Sequence, residues 1–431
     1  MKKPVTLKRE LGLVESLLCG IGIIIGTGVY VLIGQAAGMA GNAVWISFLL
    51  ASFLAAFTGL SYAELSSLLP KAGAEYVYVR KSMGQPIAFM VGWLILISGV
   101  VGASTVALGF AGYFSELFKY PIICAALALI ATVSVINFIG IKQSVWFADI
   151  STLIEIAGLL IIIAIGLPYI GSINYFETPK ISGIFEAAAL IFFAFIGFED
   201  VVKLSEETKN PRKTIPKALL LSIAITTIIY ISVAVSVISA IDWKTLSASQ
   251  APLSLVAAKG GIPVWLFSII ALFATGNTVL LLLVASSRLA YGMAEARTLP
   301  MVLARVHPKT RTPWVAIFSL MIFSMLFVLK GDIKTVANLT NFTVFVTFFA
   351  INASVIILRY KMKQRRAFKV PLNIGKFPVI PALGMLFCLF MLGNVGLDVL
   401  AYGAGFLVAG AIVYKLVGHR GHIRKIHAKR F

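Results

Sequence analysis

The sequence predicts an all-α integral membrane protein of about twelve transmembrane helices, with a five-plus-five inverted repeat whose first and sixth helices are broken, and three observations lead there. Of the 431 residues, 59% are hydrophobic and only 13% charged, with a mean hydropathy of +0.97, a balance that no water-soluble globule of this length carries. Apolar runs of about 20 residues, enough to cross a hydrocarbon core about 30 Å thick, recur along the whole chain. Two of those runs, the first and the sixth, are interrupted by glycine.

Taken in order, the first span covers 12–37 and follows the basic flank KKPVTLKRE. Its apolar run is too long for the core of a signal peptide, so it is expected to remain as the first span. The same length criterion places spans at 43–69, 86–117, 121–140 and 145–170, then at 183–202, 214–240, 262–295, 313–329 and 334–358. Two more, 377–395 and 398–417, stand outside the repeat. No Ser, Gln or Pro tract and no short-period repeat divides the chain, so 1–431 reads as one domain: a first repeat at 12–170, a second at 183–358 and two additional helices at 377–417.

If the N-terminus is cytoplasmic, 31 of the 37 Lys and Arg residues fall on that side, and the outward loops hold only Lys119, Lys180, Lys244, Lys259, Lys330 and Lys334. That asymmetry predicts a multi-pass protein of the cytoplasmic membrane with both termini inside. The net charge of +20 therefore reads as orientation signal and lipid contact. RYKMKQRR and HRGHIRKIHAKR are cytoplasmic flanks, and no nucleic-acid partner is expected.

The stretch CGIGIIIGTGVY places glycines at 20, 22, 26 and 28 inside the first span, although each costs a helix about 1 kcal/mol against alanine. Non-helical backbone at membrane depth is tolerated only where it lines a cavity or is buried in protein. The cluster thus suggests a helix that stops and restarts. Free amides at the restart, around Gly26, Thr27 and Gly28, form an anion site. Carbonyls at the stop, around Ile23 and Ile24, can solvate a cation. The sixth span, LIFFAFIGFEDVVKLSEE, should leave carbonyls free in the same way around Phe193, Ala194 and Ile196. Side by side, the two breaks offer the two poles of an α-amino acid zwitterion. Close helix packing by Gly22 and Gly26, four residues apart, is the competing use of those glycines. A dinucleotide loop is excluded by the spacing and by the lack of a strand and an acidic partner. Five spans separate the breaks, and the odd number inverts the second unit relative to the first.

Several of these segments resemble the amino acid, polyamine and organocation transporters. GIIIGTGVYV is similar to that family's first-helix motif, SYAELSSLLPKAGAEYVYV to the end of its second helix and the loop beyond, FFAFIGFEDVVKLSEETKNPRKTIP to its sixth helix and cytoplasmic loop, and SSRLAYGMAEARTLP to the end of its eighth. The resemblance implies a fold like that of the leucine transporter with a midplane amino acid site. In it Gly26, Thr27 and Gly28 would hold the carboxylate, the carbonyls of Ile24, Phe193, Ala194 and Ile196 the amino group, and Phe198 would gate the site.

Glu155, in DISTLIEIAGLLIIIAIG, lies about ten residues into the fifth span, close to midplane. An unpaired carboxylate there is costly as an ion, and a group that can be charged or neutral can carry a coupled proton. Proton-coupled relatives often have a lysine at the aligned point, so the carboxylate reverses the charge logic. Glu64, Glu206 and Glu207 lie near the basic side and are expected to pair with cations there. Glu186, Glu199 and Asp200 flank the sixth-span break, where they could line the pathway or cap a half-helix. Asn277 could face the substrate side chain or tie helices together. Cys19, Cys124 and Cys388 lack metal-ligand spacing and read as packed thiols. His307, His419, His422 and His427 form no ligand cluster with other residues, so no metal, cofactor or catalytic group is expected. The reading is a secondary carrier for amino acids, coupled to protons and working by alternating access. An exchanger, a polyamine or amine carrier, and a non-transporting amino acid receptor remain open.

Overall fold

A computed structural model of the chain describes residues 11–25, 28–71, 74–139, 142–206, 208–295, 298–310, 312–330 and 332–427. Its elements follow the chain as α1 (Leu13–Ile24), α2 (Gly28–Ala40), α3 (Val44–Leu68), α4 (Ala74–Met83), α5 (Gln85–Phe118), α6 (Ile122–Ile139), α7 (Lys142–Gly166) and α8 (Ile181–Ile191). Then come two 3₁₀ segments, Phe192–Phe195 and Phe198–Glu206, and α9 (Pro211–Ala240), α10 (Trp243–Ala248), α11 (Pro252–Lys259), α12 (Val264–Glu295), α13 (Trp314–Val328) and α14 (Ile333–Lys361). A short hairpin, β1 (Asn373–Ile374) and β2 (Phe377–Pro378), precedes α15 (Val379–Leu392) and α16 (Leu397–His427).

Among the described residues nine helical stretches are long and apolar enough to cross a membrane, and α1, α13 and α15 are shorter apolar helices. With α1 and α2 taken as halves of one pass, and α8 with the 3₁₀ segments as another, the passes coincide with the expected spans to within a few residues, apart from the longer run of α16. The starts of several helices follow from local chemistry. Pro86, Pro211 and Pro252 occupy first-turn positions where a missing N–H costs nothing. Asp242 and Asp332 accept from the free amides that open α10 and α14. Outward residues such as Ile228, Leu386 and Val408 are exposed, the surface that apolar lipid chains would cover. Cys388 is buried, but Cys19 and Cys124 turn outward and are exposed rather than packed. A thiol is apolar enough to be tolerated on such a face.

A buried charge knot fixes one end of the bundle. Glu64, near the end of α3, takes the Nε of Arg359 at 2.9 Å and its Nη2 on the other oxygen. It also accepts from the Val370 amide at 2.8 Å, and Arg366 Nε lies 2.9 Å from it. One carboxylate thus ties α3 to the end of α14 and to the loop that leads into β1. Glu64 is paired as expected, while Glu207 and the side chain of Glu206 lie outside the described residues. Leu11 bridges Thr208, just beyond pass six, and the Lys209 amide donates to the Leu11 carbonyl at 2.8 Å.

Candidate functional site

Both glycine-marked passes are broken. α1 stops at Ile24, where Ile25 leaves the helical region (φ −70°, ψ 64°), and α2 begins at Gly28. Gly26 and Thr27, two of the three residues expected to hold a carboxylate, lie outside the described residues. In pass six α8 ends at Ile191, tightens into Phe192–Phe195, turns extended at Ile196 (φ −60°, ψ 134°) and swings through Gly197 at φ +119°.

The two breaks touch, and glycine makes this possible. A Cβ on Gly28 would fall 2.3 Å from the Cα of Ala194, and one on Gly197 would fall 2.8 Å from the carbonyl oxygen of Ile23. Neither approach leaves room for a side chain, and the φ of Gly197 disfavours one independently. Gly22 does pack closely, its Cβ position 2.6 Å from Thr152 Cγ2 on α7. The competing packing use of the cluster is therefore real at that position.

The carbonyls freed by the breaks are shared by one donor. Tyr230 on α9 places its hydroxyl 2.8 Å from the Ile24 carbonyl and 2.9 Å from that of Ala194, so a single O–H serves both breaks. Asn341 on α14 donates its Nδ2 to the carbonyls of Ala189 and Leu190 at 2.7 and 3.0 Å, which closes the end of α8. The Phe193 carbonyl takes a long bond, 3.3 Å, from the Ile196 amide. Neither Tyr230 nor Asn341 was singled out from the sequence; a tyrosine in IIYIS and an amide in NLTNFT were the available signals.

Beside this junction Tyr30 donates to the backbone carbonyl of Glu155 at 2.6 Å, and Tyr113 donates to that of Tyr30 at 2.7 Å. Glu155 is 1% exposed, and its Oε1 has no hydrogen-bond partner among the described residues. Asn277 is likewise buried with its oxygen unpartnered and makes no helix-tying hydrogen bond among the described residues. Phe198 is fully buried, edge-on to Tyr62 at 5.9 Å and tilted against Phe348 at 5.2 Å.

Toward α4 a small cavity opens between Tyr62, Glu75, Ser98, Glu199, Thr347 and Phe348. Glu199 accepts from the Gly197 amide at 2.9 Å, so it caps the break from below. Lys203 donates to Asp200 and stands 4.0 Å from Glu75. Burial pushes the Glu75 carboxyl, in the connecting helix α4, above its ordinary range, against the pull of the Lys203 ammonium.

Interrupted helices meeting inside an apolar bundle, with freed backbone groups turned toward each other, define a membrane transporter. The chain belongs to the amino acid permease family, which it matches over residues 11–417, within the amino acid, polyamine and organocation superfamily. It is 33% identical to a branched-chain amino acid permease of Bacillus subtilis, over 96% of this chain and 94% of that protein. A methylthioribose transporter of the same organism is 31% identical, over 97% of this chain and 95% of that protein. The cationic amino acid transporter 4 of mouse is 30% identical over 83% of this chain and 60% of its own length. The family and these relatives are permeases and transporters, so the chain is a transporter and not an enzyme.

Proposed function

We propose that the protein is a secondary carrier that moves amino acids across the cell membrane by alternating access between passes 1–5 and 6–10, in a leucine-transporter-like inverted repeat, with both termini cytoplasmic and with a proton carried by Glu155. The observation that supports this best is the Tyr230 hydroxyl shared between the Ile24 and Ala194 carbonyls. An α-ammonium has three donors where the phenol has one, so it can take over those acceptors together with the loosely held Phe193 carbonyl and that of Ile196. Gly26, Thr27 and Gly28 then receive the carboxylate on amides of the restarting helix. Phe198, in its aromatic cluster below the break, closes the inner side. The relatives that carry amino acids support the substrate class.

The methylthioribose transporter among the relatives favours a second reading, a small ligand without a carboxylate. Proteoliposomes holding the purified chain test both. Uphill accumulation of radiolabelled leucine or alanine under an imposed proton gradient is the expected result. Saturable binding without uptake would indicate a receptor, and uptake confined to methylthioribose or to amines without a carboxylate would overturn the substrate class.

A further inference from the structure

The knot around Glu64 also holds the segment between α14 and α15, and that segment is a hairpin with apolar side chains turned outward. Arg359 donates its Nη1 to Asn373 Oδ1, Asn373 Nδ2 donates to the Val370 carbonyl at 2.8 Å, and the Val370 amide donates to Glu64 at 2.8 Å. On the other side the amide of Val379, the first residue of α15, donates to the Leu372 carbonyl at 3.0 Å. The hairpin is therefore fixed at the level where the pass formed by α15 begins. Ile374 pairs with Phe377 across a two-residue turn of Gly375, at φ +60°, and Lys376. Its exposed apolar residues suit a solvated loop poorly. Ile374 is 74% exposed and Leu372 67%, no less than Leu386 on the outer face of α15 at 63%. Leu372 also sits at φ +55°, a left-handed conformation that glycine or asparagine adopts readily and a bulky side chain does not. Packing inside the protein does not account for that choice, because the side chain is mostly uncovered.

The charge around these residues is of one sign. No Asp or Glu occurs between Asp332 and Asp398. Lys363, Arg365, Lys369 and Lys376 are exposed and form no ion pair among the described residues. Glu64, which the knot brings to this segment, is already taken by Arg359 and Arg366. Water would solvate the cations and leave Leu372 and Ile374 bare, whereas hydrocarbon would cover the two apolar side chains and desolvate the cations. The boundary between acyl chains and anionic headgroups accommodates both. We propose that the hairpin 372–378 docks on an anionic lipid leaflet, with Leu372 and Ile374 at the acyl boundary and Lys369, Lys376 and the cations before them against headgroup phosphates. Docked in this way it clamps the ends of α3 and α14 to the membrane surface through Glu64 and Arg359. The proposal is independent of the substrate carried and of the coupling ion.

A polarity-sensitive nitrobenzoxadiazole label on Ile374→Cys tests it in the full chain, with Cys19→Ala and Cys124→Ala removing the exposed native thiols and the label attached in detergent before reconstitution. In vesicles of phosphatidylcholine mixed with phosphatidylglycerol, the emission should shift to the blue and be quenched by lipids carrying a nitroxide high on the acyl chain. Both effects should weaken in phosphatidylcholine alone, and added salt should weaken them in the mixed vesicles. Each cation near an anionic surface is worth about 5-fold in the docked population. Lys369→Gln combined with Lys376→Gln should therefore lower the ratio of docked to undocked hairpin about 25-fold. Emission that stays at its aqueous position in both kinds of vesicle would overturn the proposal, as would equal quenching in both that ignores the two Lys substitutions. A disulfide-linked dimer of Ile374→Cys, with the label shielded whatever the lipid, would assign the face to a second copy and overturn it too. The same label on Leu372→Cys decides the matter should the first variant elute as aggregate.

Discussion

Tyr230 carries the junction of the two breaks on one hydroxyl, and its removal has a two-part consequence. Tyr230→Phe keeps the ring, which lies edge-on to Phe195 at 5.3 Å, but leaves the Ile24 and Ala194 carbonyls without their donor. An unsatisfied buried acceptor costs about 1–3 kcal/mol, so the ligand-free variant should melt earlier than the parent. A bound ammonium restores the donors, so leucine should raise the variant's melting temperature by more than it raises the parent's. An equal or smaller ligand shift in Tyr230→Phe would argue against the ammonium position. Glu64 makes a different residue-scale case. Its side chain is 1% exposed and that of Arg359 2%, so Glu64→Gln strands a buried guanidinium and should cost about 3–5 kcal/mol. Arg366→Gln leaves Glu64 its two bonds from Arg359 and the Val370 amide, and should lower the melting temperature less. That Glu64 would be paired was legible from its place near the basic side. Tyr230 was not, because its two partners stand 206 and 36 residues away in sequence and a tyrosine in an apolar span has no distinguishing neighbours.

The break in pass six is a property of one element and hinges on Gly197. Gly197→Ala must abandon φ +119° and also collides with the Ile23 carbonyl, so the break should distort and transport be lost, at a cost of about 1–3 kcal/mol in stability. Gly261 is the control: it too has a positive φ, but nothing lies within 4 Å of its Cβ position. Gly261→Ala should transport as the parent does, and loss of uptake in both variants would remove the special role given to the break. The connecting helix α4 yields a pH prediction. Because burial raises the Glu75 carboxyl, the folded chain holds that proton more tightly than the unfolded one. The stability it contributes is complete below the unfolded carboxyl's range and is lost as pH rises through the folded one. Glu75→Gln needs no proton, so its melting temperature should gain on the parent's as pH rises above the ordinary carboxyl range. Melting curves in which the gap closes as pH rises would contradict this. The passes and both breaks were readable in the sequence because glycine in an oily run has a backbone price that needs a reason. The helices α4, α10 and α11 were not, since ten or fewer residues between spans carry too little periodicity to stand out from a loop.

At the scale of the whole molecule, the proposed carrier requires that binding between the two breaks be coupled to a proton. α1 packs on α7 through Gly22 and Thr152, and Glu155 lies on the same helix one turn further on. It is also tied through Tyr30 to the far half of pass one. Its carboxylate has no cation beside it among the described residues, so a negative charge there is opposed by the bundle whenever water is excluded and tolerated when the pathway admits water. Alternating access switches between such conditions, and a proton taken up and given back at Glu155 would follow that switch. Exchange of one substrate for another needs no net proton movement, whereas uphill accumulation does. Glu155→Gln, fixed in the neutral form, should therefore keep counterflow of leucine within a few-fold of the parent and lose accumulation driven by an imposed proton gradient. Parallel loss of both would make Glu155 a structural group, and retention of gradient-driven accumulation with its pH dependence intact would place the coupling proton elsewhere.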